Sequence, residues 1–138
     1  MAGRSPRPAP APDQYIPSAP FWDGARAGRL VLQACGDTGR MQHYPRPVSM
    51  ATGSRNLVWR DVSGRGTIYA WTVLRTPTPG LEDAGPVVVA TIELEEGVRI
   101  LGRLLDADPA AVAIGQAVTL AWDHFDDGTP YPAFRTGG

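Results

Sequence analysis

From residue 57 onward the chain alternates short runs of β-branched and aromatic residues with glycine-bearing turns. That punctuation leaves room for little except a small all-β body. Residues 57–62 read as a short strand, and Gly64 and Gly66 bracket a turn. The run TIYAWTVL, residues 67–74, is strand-like, with Ile68, Ala70, Thr72 and Leu74 on one face and Trp71 on the other. Residues 76–86, TPTPGLEDAGP, are too rich in proline for regular structure and read as an exposed loop. Residues 87–94 are mostly apolar and predict a well-buried strand. Glu95-Glu96-Gly97 then turns the chain into a strand over 98–104. DADPAAVAIG, residues 106–115, suits a short helix with Asp108 as N-cap and Pro109 at its first position. Strands over 118–125 and 129–135 flank a turn at Asp126-Asp127-Gly128. About five strands with one short helix before the last main strand predict a small closed barrel over 57–138. The OB-fold is the natural candidate. Periodicity does not separate it from another small barrel or a sandwich.

Upstream the pattern changes. Six of the fourteen prolines fall in the first twenty residues, so 1–17 read as an extended Pro/Ala tail. SAPFWDGARAGRL, residues 18–30, begins as a helix. Ser18 is its candidate N-cap, Pro20 sits in its first turn, and Gly28 is its stop signal. Phe21, Trp22 and Ala25 share one face. LVLQAC, residues 30–35, is a strand, and loop-rich sequence follows to residue 56. The fold class is therefore mainly β: an N-terminal helix and a ribbon-like segment over 18–56, followed by the barrel.

The 138 residues contain no lysine, and the formal net charge is −1. The charges are unevenly divided. Residues 1–75 hold ten arginines against four aspartates, while 76–138 hold three arginines against ten acidic residues. An acidic barrel repels phosphate, which weighs against a nucleic-acid partner for an OB barrel. No apolar run approaches membrane-spanning length, and the N-terminus lacks the apolar core of a secretory signal, so the expectation is a cytoplasmic protein without a membrane partner. One cysteine, Cys35, excludes an internal disulfide and any metal site built from several thiolates.

That cysteine opens the most informative segment. In CGDTGRMQHYPRPVSMATG, residues 35–53, positions 35, 38, 49 and 52 are spaced like the two C-x-x-C knuckles of a zinc ribbon, with a glycine after each knuckle. Cysteine survives only at the first of them. Thr38, Ser49 and Thr52 hold the others, and protonated hydroxyls are poor zinc ligands. The expectation is a degenerate ribbon without metal or other cofactor, held by Pro45, Pro47 and packing against the helix and barrel or a partner.

Several longer segments then agree in order and spacing: PFWDGARAGRLVLQAC (20–35), YPRP (44–47), SGRGTIYAWTV (63–73), VVVATIELEEGVRILGRL (87–104), IGQAV (114–118) and PAFR (132–135). Over about residues 18–135 the chain resembles a family of small proteins with a rubredoxin-like zinc ribbon and a C-terminal OB-fold, partners of thiolase-type acyl-CoA enzymes. The resemblance implies a non-catalytic subunit that supports acyl-CoA or acyl-thioester binding in a thiolase-like or ketosynthase-like enzyme of lipid, steroid or polyketide metabolism. It implies a hetero-oligomer in which the nucleophile and bases belong to the partner.

No catalytic residue stands out in this chain. Cys35 with His43 or His124 lacks a third orienting group for nucleophilic catalysis. His43 reads as a ribbon surface residue and His124 as a strand end. Asp123, Asp126 and Asp127 lack the spacing of a calcium loop. Gly64-Arg65-Gly66 is too short for a phosphate fingerprint. Six residues are candidates for ligand binding or an interface: Trp22, Tyr44, Arg46, Arg65, Trp71 and Phe134. Arg46, fixed between two prolines, suits either a CoA phosphate or an acidic residue of the barrel. Arg65 has the same two readings. The aromatics suit an apolar tunnel, a subunit interface or the core. Two other function classes stay open: a stand-alone enzyme or ligand-binding protein of a secondary-metabolite pathway, and an OB-fold nucleic-acid binder.

Overall fold

A computed structural model describes residues 18–76, 80, 81, 83 and 85–137. The predicted tail over 1–17 lies outside them, as does part of the 76–86 loop. The first element is the helix α1 (Ala19–Arg26). Ser18 is its N-cap, through its backbone carbonyl to Trp22 N–H at 3.2 Å rather than through its hydroxyl. Gly28 ends the turn at φ 76°, a conformation only glycine adopts without strain.

Three strands form the first sheet: β1 (Val31–Cys35), β2 (Met41–Gln42) and β3 (Leu57–Asp61), with β1 in the middle. All five residues of β1 are buried. Gly24 of α1 lies so close to β1 that a Cβ there would stand 2.5 Å from Val31 Cγ2. The helix therefore packs on the sheet through a missing side chain.

The barrel comprises β4 (Arg65–Leu74), β5 (Val87–Leu94), β6 (Arg99–Leu104), β7 (Ala117–His124) and β8 (Pro130–Thr136). It closes in the order β4-β5-β6-β8-β7, with β6 and β8 parallel and the other pairs antiparallel. This is the five-stranded Greek-key closure of an OB-fold. A single 3-10 turn, Pro109–Ala111, precedes β7, and Asp108 caps it by accepting Ala110 N–H at 3.0 Å.

Two expectations are corrected by the strand pairing. Residues 57–61, predicted as the first barrel strand, pair with β1 throughout their length and belong to the ribbon sheet. The barrel begins at Arg65. The predicted faces of β4 also change midway. Ile68 pairs with Ile92 but Ala70 with Thr91, so Tyr69 is an extra residue in the ladder. Beyond this bulge the alternation inverts. Ile68 is buried, but Ala70, Thr72 and Leu74 are exposed, and Trp71 and Val73 turn in against the core.

One core runs through both parts. Phe21 and Leu30 at the N-terminal end and Leu32 of β1 share a cluster with Ile68, Ile92, Leu104 and Phe134 of the barrel. The apolar contact is thus continuous from ribbon to barrel. In the 76–86 loop, predicted to be exposed, Leu81 is buried at 8% exposure.

Candidate functional site

A groove of about 420 Å³ opens where helix, ribbon and barrel meet. Phe21 and Trp22 line it from α1. His43, Tyr44 and Pro45 line it from the loop after β2. Ile100 and Leu101 of β6 and Tyr131 and Pro132 of β8 complete the wall. The rings are layered. Phe21 meets Trp22 edge-on at 4.9 Å, His43 lies 4.2 Å from Tyr44, and Trp22 approaches Phe125 at 6.1 Å. Such contacts add specific geometry to a large buried area. Tyr44 and Leu101 remain more than half exposed, at 54% and 53%.

His43 brings an imidazole into this lining. Its Nδ1 is buried and has no hydrogen-bond partner, and its ring stands 5.8 Å from Phe21. Burial pushes its pKa down to about 4, because the surroundings disfavour the charged ring.

The loop that carries His43, Tyr44 and Arg46 is held by two buried glutamines. Gln33 of β1 accepts Arg46 N–H at 2.8 Å and donates to Arg46 C=O at 3.0 Å. Gln42 donates to Gln33 Oε1 at 2.6 Å and to Val48 C=O at 3.1 Å, and accepts Met50 N–H at 2.8 Å. Each bond offsets the desolvation of a buried amide, so the pair specifies the path of residues 43–50. Pro45 and Pro47 are thus assisted in holding the loop by two side-chain amides.

A second polar cluster lies beneath the groove. Arg103 of β6 reaches Asp123 of β7 at 3.3 Å, and Tyr131 O–H donates to Asp123 at 2.5 Å. Asp123 is 5% exposed. It ties three barrel strands together beside the wall that α1 packs on.

The six candidate residues separate clearly. Trp22 and Tyr44 both line the groove. Arg46 is exposed beside it, and among the described residues no ion pair joins it to the barrel. Arg65 is engaged elsewhere, since its guanidinium grips Glu95 through contacts of 2.6 and 3.3 Å. Trp71 packs against the core, and Phe134 is fully buried at its centre. Phe134 therefore belongs to neither a binding surface nor an interface. Gly102 is matched to it, because a Cβ there would stand 2.8 Å from the Phe134 ring. Phe21, His43, Ile100, Leu101 and Tyr131 also line the groove and are not among the six candidates. Only the adjacency of His43 to Tyr44 hinted at one of them.

The four knuckle positions do converge. Cys35 Sγ is fully buried and lies 3.9 Å from Thr52 Oγ1. Hydrogen bonds from Ser49 and Thr38 hold the thiol below its ordinary 9.0, at about 6. Burial opposes this shift, and backbone N–H groups of Thr38 and Asp37 add to it. Gly39 and Gly53, one after each knuckle, have φ of 76° and 75°.

A three-stranded ribbon with paired knuckles, packed on a five-stranded OB barrel and bearing an aromatic groove at the junction, defines a class of small two-part accessory domains. Family models match both parts, with their boundary falling inside β3. Residues 22–58 match the rubredoxin-like zinc ribbon domain of ChsH2, and residues 59–123 match its C-terminal OB-fold domain. The chain belongs to this ChsH2-type family, also described as DUF35. It is 40% identical, over 87% of its length, to the 3-oxo-4,17-pregnadiene-20-carboxyl-CoA hydratase alpha subunit of Mycobacterium tuberculosis. It is 34% identical to a DUF35 domain-containing scaffold protein of Pyrococcus furiosus, over 67% of each chain. A solved structure described as an Ltp2-ChsH2(DUF35) aldolase superposes with a TM-score of 0.80 at 33% identity, covering 94% of this chain and 98% of that one. The chain spans 38% of the length of the mycobacterial hydratase subunit. No helix among the described residues is long and apolar enough to cross a membrane.

The family's ribbon implies zinc, and the residues present do not fit it. Zinc needs lone pairs from thiolate, imidazole or carboxylate. Here three of the four positions carry neutral hydroxyls that keep their own hydrogen, and whose oxygens also accept backbone N–H groups. Ser49 Oγ accepts from Ala51 and Thr52 at 3.0 and 3.2 Å, Thr38 Oγ1 from Arg40 at 3.2 Å, and Thr52 Oγ1 from Ser54 at 3.2 Å. Among the described residues no group of three or more His, Cys, Asp or Glu is placed to hold a metal.

Proposed function

We propose that this chain is a non-catalytic subunit of a thiolase-like enzyme acting on acyl-CoA thioesters of lipid or steroid type. The groove is the face it turns toward that partner and its acyl group. The observation that carries this reading is the likeness, across nearly the whole of both chains, to the DUF35 chain of an aldolase structure. The relative whose name carries a steroid-derived acyl-CoA supports the choice of substrate class.

The residues support the same division of labour. The thiol is enclosed, and the groove offers rings and aliphatic side chains with one neutral imidazole. Such a wall binds apolar surface and excludes water, while it supplies neither a nucleophile nor a poised base. Arg46 stands on a loop pinned at its backbone by Gln33, with its guanidinium free in solvent. On this reading it meets a CoA phosphate, for which a planar, always-charged donor is suited.

The test is co-expression with thiolase-like enzymes encoded beside this chain. A stable complex whose acyl-CoA turnover falls when the chain is omitted is the expected outcome. Recovery of this chain alone beside every such enzyme, with turnover unaffected by its addition, contradicts the reading.

A further inference from the structure

We infer that the ribbon of this chain closes on sulfur rather than on metal: Cys35 is the hub of a hydroxyl cluster in which Ser49, Thr38 and Thr52 occupy the other three ligand positions with reversed polarity. The inference does not depend on the identity of the partner.

A metal centre requires every ligand to aim a lone pair inward. At positions 38, 49 and 52 each hydroxyl oxygen accepts backbone N–H groups, of residues 40, 51, 52 and 54, and unlike a thiolate it is neutral and keeps its own hydrogen. Those hydrogens are available to the sulfur: Thr52 Oγ1 stands 3.9 Å from Sγ, and hydrogen bonding from Ser49 and Thr38 holds the thiol below its ordinary pKa. The centre is an acceptor ringed by donors instead of a cation ringed by acceptors.

The knuckles have nevertheless kept the backbone of metal-binding turns. Gly39 N–H bonds Cys35 C=O at 2.8 Å, and Gly53 N–H bonds Ser49 C=O at 2.8 Å. Both glycines take the left-handed conformation. The two turns are equivalent, four residues from first position to glycine, and face one another across a buried thiol. Two further features do the closing that zinc does elsewhere. The Gln33–Gln42 pair anchors the segment between the knuckles. The full pairing of β3 with β1 anchors the segment after them, and Gly36 N–H bonds Asn56 C=O at 2.8 Å.

Two consequences follow. The native ribbon is indifferent to metal, and three substitutions should return a site to it, since shape is retained and only donor chemistry has changed. The experiment measures metal content and thermal unfolding of the full chain, with and without a chelator and with added cobalt(II). The wild-type chain is expected to contain no stoichiometric zinc, to unfold at the same temperature with chelator, and to show no thiolate-to-cobalt absorption. Thr52→Val, which keeps the shape and removes one hydroxyl, is expected to lower the unfolding temperature equally with and without chelator. The T38C/S49C/T52C chain is expected to take up one cobalt or zinc ion and to become chelator-sensitive. One tightly held zinc per wild-type chain, removed by chelator with a fall in unfolding temperature, overturns the inference. A folded triple variant that takes up no metal overturns it as well, by showing that the knuckles have lost ligand geometry. If the triple variant fails to fold, the wild-type metal analysis and the Thr52→Val comparison still decide.

Discussion

His43 shows how a single residue is remade by its place in the fold. Beside Tyr44 in a proline-rich loop it reads as a surface residue. In the structure it is enclosed against Phe21, and burial brings its pKa from 6.5 to about 4. The unfolded chain takes up a proton near 6.5 and the folded chain only near 4, so acid favours unfolding between those values. His43 should therefore cost the fold nothing above pH 6.5 and progressively more as pH falls toward 4, on the order of 1–3 kcal/mol in all. Denaturant unfolding of wild type and His43→Phe over that range checks this. The variant is expected to lose less stability on acidification, and parallel profiles would contradict the assignment. Gln33 and Gln42 were illegible for a related reason. A glutamine in a strand carries no mark of burial. Its partners, the backbone of residues 46, 48 and 50, exist only once the loop has folded over it. For Phe134, of the tunnel, interface and core that the sequence leaves open, the structure shows the core.

At the scale of elements, the strands were legible because their residue types and glycine turns mark them locally. Which sheet each strand joined was not. Residues 57–61 look like any half-buried strand, and only pairing with β1 across the intervening loop assigns them to the ribbon. Trp71 illustrates a shift of a single residue. Strict alternation sets it apart from Ile68, and the bulge at Tyr69 brings it back to the core side. Helix α1 was read correctly from Pro20 and Gly28, but the reason it docks lies in Gly24. Glycine inside a helix normally costs about 1 kcal/mol relative to alanine. Here a Cβ would meet Val31 Cγ2 at 2.5 Å and Arg29 C=O at 3.1 Å, so the helix would have to lift from β1. Gly24→Ala is expected to destabilise the chain by about 1–3 kcal/mol, against its gain in helix propensity. A rise in unfolding temperature would show that α1 is free to adjust.

The whole molecule is a single core with a polar skin, and its most distinctive surface lies where the ribbon meets the barrel. No one segment supplies that groove. Phe21, His43, Leu101 and Tyr131 come from α1, the ribbon loop, β6 and β8, far apart in sequence, which explains why only Trp22 and Tyr44 were identified beforehand. The family likeness, by contrast, was legible as a whole, since it rests on the order of many short segments. The sequence is basic before residue 76 and acidic after it. The claim that organises these features is that the groove is the working face of an accessory subunit. It is tested most directly by calorimetric titration of a thiolase-like partner with wild type, with the Trp22→Ala/Tyr44→Ala chain, and with Arg65→Ala. The double variant is predicted to bind at least about tenfold more weakly, a loss of about 1.4 kcal/mol, while Arg65→Ala, which removes only an exposed pair with Glu95, binds as wild type does. Equal affinity of the double variant and wild type would contradict the account.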